Sequence, residues 1–365
     1  MARYKRISYH RWLKRFFIFF LSLLALVALF NLLADGVGIF RLNAGLKQVA
    51  TNLLAGKMVA GRFSTFDERE LQRLIVEQYK GRRDIIAIGS SRTMSLREKF
   101  FPRRPNFFNH STSGALLGDM AAVIGLYRSK GVLPGTVILG IDPWIFNTDN
   151  GLGRPWETLS QYCFDMMKVI DENKRDGNGK ERKVDTPPKV DRTARVRQLI
   201  NLDYTLQNWK ALRKGKRMRP TTTAEIDDFV REPDGSIHFP YQCRHSKMGG
   251  EGPANFMPDS YFNNFNAFYG TEILEGLVQY LQSRGVRVVF LLPPFHPRAY
   301  RAALEVPKYH VTLQVEDYLR GLARKKGITV IGSYDPAPYG FKGEDFFDGT
   351  HGHPNVMERL FKGYK

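Results

Sequence analysis

IIAIGSSRT, residues 85–93, decides how the chain is read. Four apolar residues end on Gly89, and Ser90, Ser91 and Arg92 follow. A wholly apolar run that stops on glycine suits a strand buried on both faces of a parallel sheet. The serines then admit two readings. A serine after a strand is a good helix N-cap. A serine at the carboxyl end of a strand in an open α/β sheet also stands where ligands and nucleophiles sit. The second reading requires a base and a carboxylate from elsewhere, because a serine hydroxyl alone is a weak nucleophile.

Strand and helix patterns alternate outward from this stretch. PNFFNH (105–110) reads as a short strand, ALLGDMAAVIGLYRS (115–129) as a helix and TVILGID (136–142) as an apolar strand. Later come a helix stopped by glycine (266–285), the strand VRVVFLLPP, a helix over 311–327 and the strand ITVIG. The alternation predicts an α/β fold built on a doubly wound, three-layer parallel sheet. From about 150 to 262 it fails. DENKRDGNGKERKVDTPPKVDRT (171–193) is polar and carries Pro-Pro, and reads as a loop. Residues 194–216 return to helical spacing with a basic face. This region reads as an insertion or cap on a domain of residues 82–365. LQRLIVEQY (71–79) has helical spacing and falls in a juxtamembrane segment, 35–81.

The formal net charge is +19, and it is regional. Residues 1–15 contribute +6 with no acid, and residues 172–220 carry 15 Lys/Arg against 6 Asp/Glu, which leaves +4 for the rest. Such a distribution does not mark a nucleic-acid binder. The first basic block precedes FFIFFLSLLALVALFNLL (16–33), an uncharged run close to the ~20 residues that span a bilayer. Basic residues before it and Asp35 after it predict a cytoplasmic N-terminus and a single-pass anchor over 16–34 behind a basic tail, 1–15. A cleaved signal peptide is the alternative. The apolar run is longer than a usual signal core, and no clean small-x-small site follows it. The main domain is then expected outside the cytoplasmic membrane. Cys163 and Cys243 both fall in that part, where a disulfide or two free thiols are each compatible with the sequence.

FFDGTHGHPNVMERL (346–360) supplies partners for the serine. Asp348 and His351 are three apart in a glycine-containing turn, a spacing that lets the carboxylate reach Nδ1 and leaves Nε2 to take a serine proton. His353 is a rival base and Ser90 a rival nucleophile. His296, in LLPPFHPRAY, either lines a pocket or belongs to a proline-rich turn. Arg92 either contacts an anionic substrate or pairs with a carboxylate. His238, Cys243 and His245 lack zinc-ligand spacing, so no metal is predicted. The chemistry requires no cofactor.

These segments resemble the SGNH (GDSL-like) hydrolase superfamily. IAIGSSRT resembles its first block, with Ser91 at the nucleophile and Ser90 in place of the aspartate. FNHSTSGALLGDM (108–120) resembles the second, where Gly114 would offer a backbone N–H to an oxyanion. FFDGTHGHP resembles the fifth, with Asp348 and His351 completing a triad. The resemblance covers about residues 82–150 and 265–365. It is closest to the membrane-anchored branch that accompanies cell-envelope polymer acylation, including teichoic acid D-alanylation and alginate O-acetylation proteins. It implies serine acyl transfer, as esterase or O-acyltransferase. An envelope polysaccharide would be the substrate, with a membrane acyltransferase as partner. The third block departs from the family: G-I-D-P puts Asp142 where a side-chain amide is expected. An ionised carboxylate cannot donate to an oxyanion. Either Asn109 or Asn147 substitutes as donor, or Asp142 does something else, such as binding an acceptor sugar hydroxyl, or activity is low. If Asp142 sits ionised at the pocket rim beside the oxyanion, Asp142→Asn raises ester hydrolysis. The competing class is a catalytically silent scaffold of an envelope polysaccharide complex, and Asp142 is its main support.

Overall fold

The computed structural model describes residues 9–34, 44–61, 67–150, 158–178, 196–214, 218–245, 262 and 270–364. Arg3, Lys5, Arg6, Asp35 and the Pro-Pro tract lie outside the described residues. The chain divides into two units. One comprises Met1–Gly45, Gly61–Asp67 and Pro188–Met218, and the other comprises Leu46–Ala60, Glu68–Pro187 and Arg219–Lys365.

In the first unit, α1 (Tyr9–Ala34) is a single helix that is long and apolar enough to cross a membrane. At 1.5 Å per residue its 26 residues reach about 39 Å, against roughly 30 Å of hydrocarbon. The unit also contains α6 (Leu202–Lys214), inside the 194–216 read as helical; a separate helical turn precedes it at 196–198, and 194–195 and 215–216 lie outside the described residues.

The second unit is an α/β domain. In chain order it contains α2 (Ala44–Leu54), β1 (Met58–Gly61), α3 (Glu68–Gln78), β2 (Ile85–Ile88), β3 (Phe107–Asn109), α4 (Leu117–Ser129), β4 (Thr136–Gly140) and α5 (Ser160–Asn178). Beyond α6 come β5 (Arg219–Thr221), β6 (Phe229–Arg231), β7 (Ile237–His238), α7 (Thr271–Ser283), β8 (Arg287–Leu292), α8 (Pro297–Glu305), α9 (Val311–Lys326), β9 (Thr329–Gly332) and α10 (Pro354–Phe361). Five strands form a wholly parallel sheet in the order β3-β2-β4-β8-β9. Consecutive strands step one way from β2 to β3 and the other way from β4 onward. The switch point therefore lies between β2 and β4, where ligands bind in sheets of this kind.

Alternation along the strands sorts the core. Ile86, Ile88, Val137, Leu139, Val288 and Phe290 face a layer drawn from α4, α5, α7 and α9. Ile85, Ala87, Ile138, Val289 and Leu291 face the other way, onto Phe100, Phe101, Phe341 and α10. This is the period of two expected of a pleated strand buried on both sides. The helices over 71–79, 115–129 and 311–327, the described part of 266–285 and the four apolar strands lie where their patterns put them, within a few residues, and 266–269 lie outside the described residues.

The region read as an insertion is not uniform. α5 belongs to the main core: Cys163, Met166, Met167 and Ile170 are buried there. It lies so close to its neighbours that a Cβ on Gly125 of α4 would be 2.1 Å from the carbonyl oxygen of Tyr162, and one on Gly276 of α7 would be 2.3 Å from Ile170. The helix continues to Asn178 through the polar residues expected to form a loop. Likewise α3, expected in a juxtamembrane segment, is part of the α/β unit and buries Leu71, Leu74, Ile75 and Val76. A smaller sheet, β5-β1-β6-β7, is built from strands on both sides of the insertion. Cys163 is buried, Cys243 is exposed, and both are free thiols.

Candidate functional site

β2 delivers the chain to Ser90 and Ser91 at the carboxyl edge of the sheet. No helix begins at Arg92, so the N-cap reading of the serine does not apply here. Residues 91–95 form tight turns instead, with Thr93 N–H donating to Ser90 O (3.0 Å) and Met94 N–H to Ser91 O (3.3 Å). Ser91 therefore caps no helix. Its Oγ lies 2.8 Å from His351 Nε2, across 260 residues of sequence.

His351 is held by its own loop. Its Nδ1 is 2.8 Å from Asp348 Oδ2 and 3.1 Å from Oδ1. Asp348 Oδ1 also accepts the backbone N–H groups of Thr350 and His351, each at 2.8 Å. Desolvation opposes the charge of Asp348, but the hydrogen bond and charge of His351 and the two backbone donors prevail, and the carboxyl titrates below the usual carboxylate range. An ionised carboxylate only accepts, so the proton of a neutral His351 is on Nδ1 and Nε2 faces the Ser91 hydroxyl as acceptor. The ring of Phe239 covers the imidazole, with centroids 5.7 Å apart.

The rival residues stand elsewhere. Ser90 is buried, and its Oγ accepts Arg92 N–H (3.2 Å). His353 occupies the N-cap position of α10 without a side-chain cap bond, its ring meets Phe347 edge-on, and burial lowers its pKa. His296 N-caps α8, Nδ1 accepting Arg298 N–H at 3.0 Å, as a residue of the proline-rich turn does. Asn109 uses both amide protons on Thr93 O and Leu96 O, each at 2.9 Å, and its oxygen accepts Ser111 N–H. It shapes the serine turn and has no proton left for an oxyanion. Asn147 is buried and accepts Asp149 N–H (3.1 Å).

Asp142 differs most from expectation. Arg92 turns inward directly after Ser91, and its Nη1 donates to Asp142 Oδ1 at 2.7 Å. Both side chains are 1% exposed. Arg92 Nε donates to Thr350 O (2.9 Å), its Nη2 donates to Pro293 O, and the guanidinium lies 3.9 Å from the centroid of Phe295. Burial lowers the pKa of Arg92, and the charge of Asp142 works against that. Asp142 is thus not a carboxylate at an open rim but the counter-ion of a buried arginine.

The loop after β3 runs beside the serine turn. His110 N–H donates to Ala87 O (2.7 Å) and Thr112 N–H to Gly89 O (3.0 Å). Gly114 follows two residues later at φ +57°, in the left-handed region. Residues on α3 that sequence reading did not single out fasten this loop. Glu68 accepts Ser113 N–H (2.7 Å) and pairs with buried Arg231 (3.1 Å). Arg69 donates to Ser113 O (2.7 Å) and pairs with Asp119 (3.0 Å), whose other oxygen accepts Leu116 N–H (3.0 Å). Behind the loop, His110 Nδ1 meets Gln72 Oε1 and Nε2 meets Tyr127 Oη, both at 2.7 Å. Burial, then Arg83 and Arg231, push the His110 pKa well below its ordinary value. The hairpin of β6 and β7 closes the other side: Ile237 N–H donates to Met94 O (2.8 Å), and Asn109 N–H to Asp234 O (2.7 Å). The only sequence signal for α3 was its helical spacing, which does not tell what its first turn touches.

Comparison with known proteins finds no matching family model, no matching curated protein and no matching solved structure.

Two predictions follow from this geometry. Asp142→Asn leaves a buried guanidinium without its counter-charge and is expected to lower stability by about 3–5 kcal/mol in chemical unfolding. Folded variant is expected to cleave an aryl ester no faster than the wild type, and faster cleavage would return Asp142 to the oxyanion. The second concerns acid. Folded His110 resists protonation, so below about pH 6.5 the unfolded chain binds a proton that the folded chain refuses. Its contribution is intact above that pH and falls by up to ~1.4 kcal/mol per unit on acidification. His110→Gln is expected to flatten the stability profile between pH 6.5 and 5. An unchanged slope would show that His110 does not set it.

Proposed function

We propose that this chain is a membrane-anchored serine acyl-transfer enzyme of the SGNH type, acting on an envelope polysaccharide outside the cytoplasmic membrane. The observation that carries the reading is the hydrogen-bonded chain from Ser91 Oγ to His351 Nε2 and from His351 Nδ1 to Asp348, each link 2.8 Å. It stands at the carboxyl ends of the strands, beside the switch point of the sheet. The order of the blocks around Ser91, Gly114 and Asp348–His351 adds the resemblance to that superfamily.

In this mechanism His351 Nε2 takes the Ser91 proton as Oγ attacks the ester carbonyl. Asp348 holds the ring and balances the imidazolium. The N–H groups of Ser91 and Gly114 receive the oxyanion. The bonded pair Gly89–Thr112 supports this assignment, since each chain reaches its donor two residues beyond it. The leaving alcohol takes the proton from His351, and an acyl-serine remains. Water or a sugar hydroxyl then attacks the acyl carbon while His351 removes its proton, and Ser91 Oγ leaves, taking that proton back from His351 as the acid or new ester is released. The silent-scaffold alternative relied on Asp142, and the Arg92 pair accounts for that residue without lost catalysis.

A serine-directed fluorophosphonate tests the site. Wild-type protein is expected to be labelled on Ser91, with labelling abolished by Ser91→Ala and His351→Ala. Asp348→Asn is expected to slow it by roughly 10³–10⁴-fold, and His353→Ala by only a few-fold. Folded wild-type protein that resists the probe would sink the proposal, and the reverse ranking of the histidines would move the base to His353. Orientation has its own test. The cytoplasmic basic tail predicts that alkaline phosphatase fused to the C-terminus is active in a bacterial host. An inactive but intact fusion would place the α/β domain inside the cell.

A further inference from the structure

The first unit carries a polar cluster where an apolar helix ends. Asn31, three residues before the end of α1, is completely buried. Its amide donates to Leu199 O and to Thr205 Oγ1, each at 2.8 Å, and its oxygen accepts Asn208 Nδ2–H at 3.0 Å. The ring of Phe30 lies 6.4 Å from that of Trp209. These contacts fasten α6 alongside the last turns of α1. Such bonds are hard to exchange in an apolar medium, where an amide that loses its partner finds no water.

The rest of α6 presents apolar side chains outward. Leu202 is 72% exposed, Leu206 48% and Leu212 56%, and Val196 and Ile200 in the turns just before the helix are 61% and 56% exposed. Positions 202, 206 and 209 share one face by their spacing, and Trp209 on that face is half exposed. Residues 210–219 add six basic side chains and no acid. An apolar stripe with tryptophan, followed by a basic segment, is the make-up of a helix that lies in the membrane interface. Anionic headgroups complement the basic segment.

We propose that α6 and the turns before it form an in-plane membrane-binding element, with Leu202, Leu206 and Leu212 in the acyl–headgroup boundary of the bilayer. A lipid occupant is favoured because the helix that carries the stripe is hydrogen-bonded to α1 through Asn31, and α1 is the helix fit to cross a bilayer. The proposal rests on that reading of α1.

The test uses the full chain with Cys163→Ala and Cys243→Ser, reconstituted into phosphatidylcholine–phosphatidylglycerol vesicles. A nitroxide is attached at one of Ile18→Cys, Leu206→Cys, Leu212→Cys or Lys325→Cys. Collision rates with oxygen, which partitions into lipid, and with a water-soluble nickel chelate then report the label's surroundings. Oxygen is expected to dominate at Ile18, Leu206 and Leu212, and nickel at Lys325. Nickel dominating at Leu206 and Leu212, with oxygen still dominating at Ile18, overturns the proposal and leaves the anchor intact. Few collisions with either reagent at Leu206 also overturns it, in favour of a protein covering the stripe. Nickel dominating at Ile18 removes the spanning reading and the proposal with it.

Discussion

The guanidinium of Arg92 joins parts of the α/β unit that the sequence keeps far apart. Its bonds reach the end of β4 at Asp142, the end of β8 at Pro293 and the histidine loop at Thr350. A buried cation is tolerable only when paired and fully hydrogen-bonded, and the two carbonyls, the carboxylate and the Phe295 face meet that condition. Arg92 and Thr350 are the chain neighbours of Ser91 and His351. Two adjacent ties therefore link the same two loops, one fully buried and one half-buried. The serine turn cannot tilt without stretching the buried tie, so packing helps to set the distance between Oγ and Nε2.

The loop that carries Gly114 has its own support, from the opposite direction. Its backbone is held on one side by the Gly89 carbonyl and on the other by Glu68 and Arg69 of α3. Each of these two side chains is also committed to a buried ion pair, with Arg231 and Asp119. Neither can swing away without leaving a charge uncompensated. An irregular segment is thereby fastened to the regular elements around it.

How much of this the sequence reveals depends on the range of the interaction. The parallel strands are legible because a strand buried on both faces leaves a continuous apolar run, and the helices because their spacing recurs every three or four residues. Asp348 and His351 are legible because both lie in one short turn. Asp142 is not, because its meaning depends on Arg92, fifty positions away and brought near only by the pairing of β2 with β4. The polar tail of α5 conceals its helix, because its apolar residues end at Ile170 and residues 171–178 read as a loop by composition. Glu68 and Arg69 read as an ordinary charged helix start until the partner loop is in place.

The 260-residue separation of Ser91 from His351 also has a consequence in time. During synthesis Ser91 emerges early and the histidine late. The imidazole–carboxylate pair is local and can form on its own, whereas its contact with the serine requires the parallel sheet to be complete. Until then Ser91 Oγ has no imidazole beside it. The contact forms only as the last strand and the loop beyond it settle, so this one hydrogen bond reports closure of the whole domain.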